Sequence, residues 1–133
     1  DLNAALGLSQ LLRIDSFINK RNKIAKKYFQ QLKNMDLKLP KQEDYNFSAL
    51  HLFPIQVKNR KKIYNLLHRN NIKVNVHYRP IHTQPFWKNR GFMNGLFPNS
   101  ELYYSKAISL PIFYDLNDEM QDCVINVLQK SCL

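Results

Sequence analysis

The first 34 residues constrain this chain most, because they contain no proline and repeat apolar residues at three- and four-residue steps. That spacing predicts one uninterrupted helix over residues 3–34. At about 1.5 Å per residue the helix would be about 48 Å long. A compact domain of 133 residues is only roughly 36 Å across. The predicted helix is therefore longer than the domain to which it belongs.

The overhanging part of the helix is apolar. Its first third, DLNAALGLSQLL, carries almost no charge. An exposed apolar stripe of this kind usually marks a surface that another protein surface covers. We expect another domain, a second subunit, or both to cover it, and we expect self-association or fraying when the chain is alone. The residues that would cause this are Leu2, Leu6, Leu8 and Leu12.

The remaining chain predicts helices and strands in alternation. We expect a small α/β fold, an α+β sandwich with helices packed on a three-stranded sheet. Pro54 indicates an edge position or a bulge in its strand, and Asn59 is a plausible helix cap. The predicted strands are residues 48–57, 72–76 and 107–110; the helices are 59–71, 100–106 and 117–129; a polar link covers 38–46 and an irregular stretch covers 77–99.

Length and cysteine content narrow the class of protein. With 133 residues and 44% hydrophobic residues, the chain can form one domain with a real core. No apolar run reaches the roughly 20 residues of a membrane-spanning helix, and no secretory leader is visible. Cys123 and Cys132 lack metal-ligand spacing, and two unpaired thiols suit a reducing cytosol. We predict a cytoplasmic protein, with Cys123 and Met120 on the inner face of the last helix.

The charge of +10 leaves a second class of function open. A basic excess can indicate nucleic-acid binding, and aromatic and basic residues alternate over 86–92. The basic residues are nevertheless spread along the chain, and the densest group, over 20–27, lies on a predicted helix where a solvated face is expected. The alternatives are a nucleic-acid-binding module without catalysis and a free-standing structural domain.

Polar chemistry concentrates in the stretch HYRPIHTQPFW, residues 77–87. It begins where a predicted strand ends, a common place for ligand contacts. His77 can hydrogen-bond a sugar hydroxyl, Tyr78 can stack, and Arg79 can pair with a phosphate. The spacing of His77 and His82 is not that of metal ligands. The alternative is a well-packed loop whose two histidines already have partners.

The sequence lacks the motifs that usually mark covalent catalysis. GxSxG is absent, and three glycines cannot form a phosphate-cradling loop. No lysine stands apart as a Schiff-base candidate, and no carboxylate pair is placed for acid–base work. We therefore predict no catalytic, cofactor-binding or metal-binding residue, and a binding loop only.

Five segments, in order and spacing, resemble the C-terminal part of DegT-type nucleotide-sugar aminotransferases. They are LNAALGLSQLLRIDSFINKRNKIAKKYFQQL, LHLFPIQV, VNVHYRPIHTQPFW, FPNSELYYSKAISLPIF and LNDEMQDCVINVL. The family consists of pyridoxal 5′-phosphate enzymes of aspartate-aminotransferase fold (fold type I). The resemblance implies an inter-domain helix over residues 1–34 and a small C-terminal domain over 35–133. It also implies that the large domain, with the Schiff-base lysine, is absent from this chain.

The resemblance further implies a site and a reaction. The segment 76–82 matches the loop that contacts the sugar nucleotide, and His77 and Tyr78 are the leading candidates. The implied substrate contacts are His77, Tyr78, Arg79, Pro80, Ile81 and His82. The implied reaction transfers an amino group from glutamate to a UDP-linked 4-keto-6-deoxy sugar, for pseudaminic acid or a related surface sugar. The expected holoenzyme is a cytoplasmic homodimer that contacts neither nucleic acid nor membrane, and its cofactor is not bound covalently by this chain.

Overall fold

The computed structural model describes residues 1–131, so Cys132 lies outside the described part. Six helices, one short 3₁₀ turn and three strands are present there. They are α1 (Leu2–Leu11), α2 (Ile14–Leu32), β1 (Leu37–Lys38), β2 (Phe53–Val57), α3 (Arg60–Arg69), the 3₁₀ turn (Ile81–Thr83), α4 (Pro85–Lys88), α5 (Pro98–Lys106), β3 (Ala107–Leu110) and α6 (Asp118–Ser131).

The three strands form one antiparallel sheet in the order β1-β2-β3. Phe53 pairs with Leu110, and Leu37 pairs with Val57. All four residues of β3 are buried, and α6 packs against both α2 and α3. Helices on a three-stranded sheet are the predicted fold class, which is confirmed. The core combines Tyr28, Leu32, Phe53, Ile55, Leu67, Ile108 and Leu128.

The third strand is not the one that the sequence predicts. Ile72 and Val74 are buried in alternation, as expected, but residues 72–76 contribute only one bridge, from Asn75 to Ser109. The Ser109 amide donates to the Asn75 carbonyl oxygen at 2.8 Å. Alternating burial reports which side chains face the core, whereas a strand requires repeated backbone pairing. The third strand is instead β1 (Leu37–Lys38), which overlaps the predicted polar link only at Lys38.

The predicted helix over 3–34 is two helices, which is a correction. The Arg13 amide donates to the Gln10 carbonyl oxygen, three residues back, at 3.0 Å, and the Arg13 ψ angle is −1°. No residue of α1 is buried, whereas Phe17 in α2 contacts the distant Tyr114 ring, with ring centroids 5.0 Å apart. Leu2 is 89% exposed, so the apolar face of α1 is uncovered within the described chain.

The strand predicted over 48–57 begins only at Phe53. Leu50 has a positive φ of 49°, which a strand does not tolerate. The Arg21 guanidinium donates to the carbonyl oxygens of Leu50 and Ile112 and so holds this irregular segment against the domain. β2 is the central strand of the sheet, so Pro54 does not lie on an edge strand. β1 pairs only with residues 56 and 57 of β2, however, so it does not extend as far as Pro54.

The inner face of α6 differs from the prediction. Met120 is 52% exposed and Cys123 is exposed, so neither is a core residue. The buried face contains Gln121, which is 2% exposed and donates from Nε2 to the Ile24 carbonyl oxygen at 2.7 Å. Hydrophobic periodicity does not predict burial of a polar residue such as Gln121. The predicted inner face of α6 is therefore rotated relative to the observed one.

The Tyr28 hydroxyl offers a test of the core. Tyr28 is fully buried, its hydroxyl donates to the Pro111 carbonyl oxygen at 3.0 Å, and burial raises the pKa of the phenol. Replacing Tyr28 with Phe leaves that carbonyl without this donor and should lower the free energy of unfolding by about 1–2 kcal/mol. Urea denaturation measures the change. The control, Tyr45→Phe, alters a residue that is 86% exposed and should change little; equal effects would contradict the assignment.

Candidate functional site

The loop of residues 77–82, called here the candidate loop, leaves the sheet directly after the Asn75 bridge. The His77–Tyr78 peptide bond is cis. His77 Nδ1 lies 2.8 Å from Ser109 Oγ on β3, and the His77 ring contacts the Tyr78 ring edge-to-face, with centroids 4.6 Å apart. One ring nitrogen of His77 is therefore occupied in fixing the start of the loop.

The end of the candidate loop is fixed by a second histidine. His82 is 4% exposed, and its Nε2 lies 2.8 Å from Glu101 Oε1 on α5. The same carboxylate oxygen accepts a hydrogen bond from the Gly95 amide at 2.7 Å, and the Phe97 ring lies 4.8 Å from the His82 ring. Both histidines have a partner within the chain, as the packed-loop alternative expects.

The middle of the candidate loop faces outward. Tyr78 is 72% exposed and Ile81 is 67% exposed, while Pro80 between them is buried. The six predicted contact residues thus divide into two groups. His77, Pro80 and His82 hold the loop to the domain, and Tyr78, Arg79 and Ile81 are available to a ligand.

Arg79 is exposed but not free to move. Its Nε donates to Thr83 Oγ1 at 3.1 Å and its Nη2 donates to the Thr83 carbonyl oxygen at 3.0 Å. The Thr83 hydroxyl donates to the Pro80 carbonyl oxygen at 2.7 Å. This chain of hydrogen bonds orients the guanidinium at the edge of a cleft of about 320 Å³. The cleft is lined by Arg79, Pro80, Thr83, Lys88, Asn94, Glu101 and Tyr104.

An apolar pocket of about 380 Å³ also borders the candidate loop. The Trp87 ring meets the rings of Phe86 and Phe92 edge-to-face. The pocket is lined by Ile81, His82, Trp87, Phe92, Phe97 and Ser100.

The sequence indicates the candidate loop but not Thr83 and Glu101, because the roles of these two residues depend on partners that folding brings near.

Glu101 is the charged group that the site perturbs. The hydrogen bond from His82 and then that from the Gly95 amide hold the pKa of the Glu101 carboxyl below its ordinary value. Hydrogen bonds to a carboxylate favour its ionised form. The anchor of the candidate loop therefore includes a negative charge at neutral pH.

The lysines of the described chain are not enclosed by the fold. A Schiff-base lysine is activated by burial or by a neighbouring cation, and every lysine between residues 1 and 131 is exposed or only partly buried. Within that same range no group of three His, Cys, Asp or Glu residues could hold a metal ion, and no helix combines the length and apolar content needed to span a membrane.

The arginines are mostly engaged inside the chain. The guanidinium of Arg90 lies 3.6 Å from the centroid of the Phe86 ring, and that of Arg60 lies 4.5 Å from the Tyr104 ring. Arg13, Arg21 and Arg79 also have partners in the chain. The rings of Phe86 and Phe92 each contact the Trp87 ring edge-to-face, whereas proteins that bind single-stranded nucleic acid stack bases on free aromatic rings.

A comparison with known families decides what kind of protein carries this geometry. The sequence model of the DegT/DnrJ/EryC1/StrS aminotransferase family matches residues 1–129. The chain belongs to this family. The family resemblance of the sequence is therefore confirmed, and so is the expected fold class.

Relatives of known structure carry the same fold. Spr1654 from Streptococcus pneumoniae, assigned as a sugar aminotransferase, superposes with a TM-score of 0.90 at 28% identity, covering 96% of this chain and 33% of that one. Spr1654 has been solved in apo-, PLP- and PMP-forms. PseC from Helicobacter pylori, an aminotransferase involved in pseudoaminic acid biosynthesis, gives a TM-score of 0.87 at 29% identity, covering 96% of this chain and 36% of that one.

A sequence relative agrees with these structures. The spore coat polysaccharide biosynthesis protein SpsC from Bacillus subtilis is 35% identical over 140 residues, which cover 97% of this chain and 36% of SpsC. The chain thus spans about a third of the length of its DegT-family relatives.

The Glu101 anchor generates a prediction in acid. Because its pKa is lower in the folded chain, ionised Glu101 stabilises the fold above the ordinary carboxyl range, and that contribution is lost as pH falls through the lowered value. The Glu101→Gln variant has no ionisable side chain at this position, so it has no such contribution to lose in acid. Between neutral pH and about pH 3, the variant should lose less unfolding free energy than the parent protein, as measured by urea denaturation.

The matched control is Asp44→Asn, which changes an exposed carboxyl in the link before β2. It should follow the parent protein across the pH range. If Glu101→Gln instead loses as much stability in acid as the parent, the carboxylate is not the acid-sensitive part of this anchor.

Proposed function

We propose that this chain is the small C-terminal domain of a PLP-dependent sugar-nucleotide aminotransferase. The complete enzyme would transfer an amino group from glutamate to a UDP-linked 4-keto-6-deoxy sugar. Within the family we favour the UDP-4-amino-4,6-dideoxy-N-acetyl-β-L-altrosamine transaminase of pseudaminic acid synthesis. The likeness to PseC at a TM-score of 0.87 and the sugar-related names of the other relatives support this substrate class.

The observation that carries the proposal is the family match over residues 1–129 joined to a loop that is rigid at both ends and exposed in the middle. His77 and His82 are held by Ser109 and Glu101, so Tyr78 is displayed in a fixed place. A ligand that meets a preorganised group loses less entropy on binding. The loop therefore has the properties of a recognition element.

The catalytic groups would lie in the part of the family's length that these 133 residues do not span. When bound there, pyridoxal phosphate supplies the electron sink for amino transfer. The described lysines are exposed or only partly buried, which agrees with a division of labour between domains. In this division the candidate loop binds and orients the sugar nucleotide and excludes water from one side of the site.

Tyr78 has two ways to contact a sugar nucleotide. Its hydroxyl can donate or accept a hydrogen bond, and its ring can pack against a sugar face. The edge contact with His77 limits the positions that the ring can adopt. We assign Tyr78 to orientation of the sugar, with Ile81 providing an apolar contact beside it.

Replacement of Tyr78 tests the proposal in the complete enzyme. Tyr78→Ala should raise the KM for the sugar nucleotide about tenfold, the equivalent of roughly 1.4 kcal/mol, because a ring and a hydroxyl leave the site. Absorbance of the bound cofactor should not change. Steady-state kinetics and the visible spectrum measure the two effects.

The control for Tyr78 is Tyr45→Ala, which removes another highly exposed tyrosine, in the link before β2. It should leave KM unchanged. Loss of cofactor binding in Tyr78→Ala would show that Tyr78 serves the cofactor and not the sugar. Failure of the parent enzyme to aminate any 4-keto sugar nucleotide would overturn the proposed function itself.

The uncovered helix α1 supports the missing-domain part of the proposal. Leu6 and Leu8 are 61% and 65% exposed, and no residue of α1 is buried. A stripe of this kind is covered in a stable protein. We propose that the large domain covers it and that the complete enzyme is a cytoplasmic homodimer.

Hydrogen exchange tests the cover on α1. The amides of α1 should exchange slowly in the complete enzyme and fast in the 133-residue chain, because only the former buries the helix. The amides of α3, whose Ile63 and Leu67 are buried within the described chain, serve as the internal control and should be protected in both. Fast exchange of α1 in the complete enzyme would contradict the proposal.

A further inference from the structure

The segment that follows the candidate loop and the 3₁₀ turn lies on the surface of the domain. Residues 85–96, called here the flap, contain no buried residue, and only Trp87 and Phe92 among them are partly covered. Met93 is 62% exposed and Leu96 is 50% exposed. A segment with so few buried apolar contacts separates from its domain at a small cost in free energy.

The flap is nevertheless well ordered within itself. The amides of residues 87–92 all donate to carbonyl oxygens of residues 84–88. Gly91 has a φ of 90° and ends α4 in a Schellman arrangement, in which the Phe92 amide donates to the Trp87 carbonyl oxygen at 3.2 Å. Three aromatic rings of the same turn also meet edge-to-face. The flap can therefore move as one body without losing its own hydrogen bonds.

Gly95, near the end of the flap, provides both a hinge and a latch. Its φ of 94° lies in the region that favours glycine, and its amide donates to Glu101 Oε1 at 2.7 Å. A Cβ at Gly95 would meet no atom within 4 Å, so the backbone conformation requires glycine and the available space does not. At the other end of the flap, Gln84 is extended, with φ −74° and ψ 149°. Because Glu101 also holds His82, the latch attaches the flap to the fixed end of the candidate loop.

The flap forms the outer wall of both cavities beside the candidate loop. Lys88 and Asn94 line the cleft of about 320 Å³, and Trp87 and Phe92 line the apolar pocket of about 380 Å³. The other walls belong to the candidate loop, Thr83 and residues between 97 and 104. A movement of the flap would therefore open or close both cavities together.

We infer that the flap is a gate for ligand exchange, hinged at Gln84 and Gly95 and latched by Glu101. The structure contains the latched state, in which the flap encloses both cavities. In the open state the hydrogen bond from Gly95 to Glu101 is broken, and a ligand can enter or leave. A bound ligand contacts the flap and the candidate loop at once, so it favours the latched state. The inference rests on the proposed function for the ligand, a sugar nucleotide, and on the geometry for the movement.

Substitution of Gly95 distinguishes a gate from a binding contact. In the complete enzyme, Gly95→Ala strains the latched backbone equally with and without ligand. Stopped-flow measurement of uridine 5′-diphosphate binding should therefore give association and dissociation rates that both rise about tenfold, with little change in affinity. Loss of a binding contact would instead raise mainly the dissociation rate. An association rate equal to that of the parent enzyme would overturn the gate.

Gly91→Ala is the matched control, because Gly91 also has a positive φ and open space around it. It strains the flap equally in the open and the latched state, so both rates should equal those of the parent enzyme. Hydrogen exchange of residues 87–92 should show the opposite pattern, about tenfold faster in Gly91→Ala and unchanged in Gly95→Ala. Faster exchange of these amides in Gly95→Ala would show that the segment unfolds locally, which contradicts movement as one body.

Glu101→Gln tests the latch without a change of backbone strain. A neutral amide oxygen is a weaker acceptor than a carboxylate, so the association rate of uridine 5′-diphosphate should rise about two- to fivefold. Asp44→Asn, which changes an exposed carboxyl in the link before β2, should leave that rate unchanged. An unchanged association rate in Glu101→Gln would overturn the assignment of Glu101 as the latch.

These outcomes separate the gate from the proposed function. If the parent enzyme aminates no 4-keto sugar nucleotide while Gly95→Ala speeds both rates, the proposed function fails and the gate stands. If amino transfer is present and Gly95→Ala leaves the association rate unchanged, the gate fails and the proposed function stands. A parent enzyme that does not bind uridine 5′-diphosphate would overturn both the proposed ligand and the gate for it.

Discussion

Two histidine anchors determine the shape of the candidate site. His77 is tied to Ser109 and His82 to Glu101, each at 2.8 Å, and the residues between them are displayed because both ends are fixed. Without these anchors, Tyr78 would sit on a short irregular segment with many conformations, and each binding event would have to order it. The histidines therefore act as supports of the loop, and the exposed residues between them are the ones that can meet a ligand.

Both anchors depend on one continuous stretch of chain. Glu101 belongs to α5 (Pro98–Lys106), and Ser109 belongs to β3 (Ala107–Leu110), which follows it without a connecting loop. β3 is fully buried and paired with β2, so its position is fixed by the core. The geometry of the candidate loop is thus inherited from the sheet, since the helix that holds its far end continues directly into the strand that holds its near end.

The sequence predicts the parts of this fold that have local causes. Asn59 accepts a hydrogen bond from the Lys62 amide at 3.1 Å and caps α3 as expected, and β3 occupies the predicted residues. The misses arise where partners are distant in sequence. The bridge from Asn75 to Ser109 and the buried hydrogen bond from Gln121 to Ile24 depend on contacts that periodicity cannot detect. The same holds for the site: its segment is visible in the sequence, but the separation into supporting and exposed residues follows from Ser109 and Glu101.

This separation has a consequence for how ligand preference can change in such a domain. Substitution of His77 or His82 disturbs a packed contact and therefore costs stability. Tyr78 and Ile81 are largely exposed, and replacement of exposed side chains usually changes stability by about 0.5 kcal/mol or less. Mutations can thus alter the ligand-facing residues while the supports stay constant. A fixed frame with variable exposed positions allows one domain architecture to present different side chains to a ligand, because support and exposure belong to different residues of the same short loop.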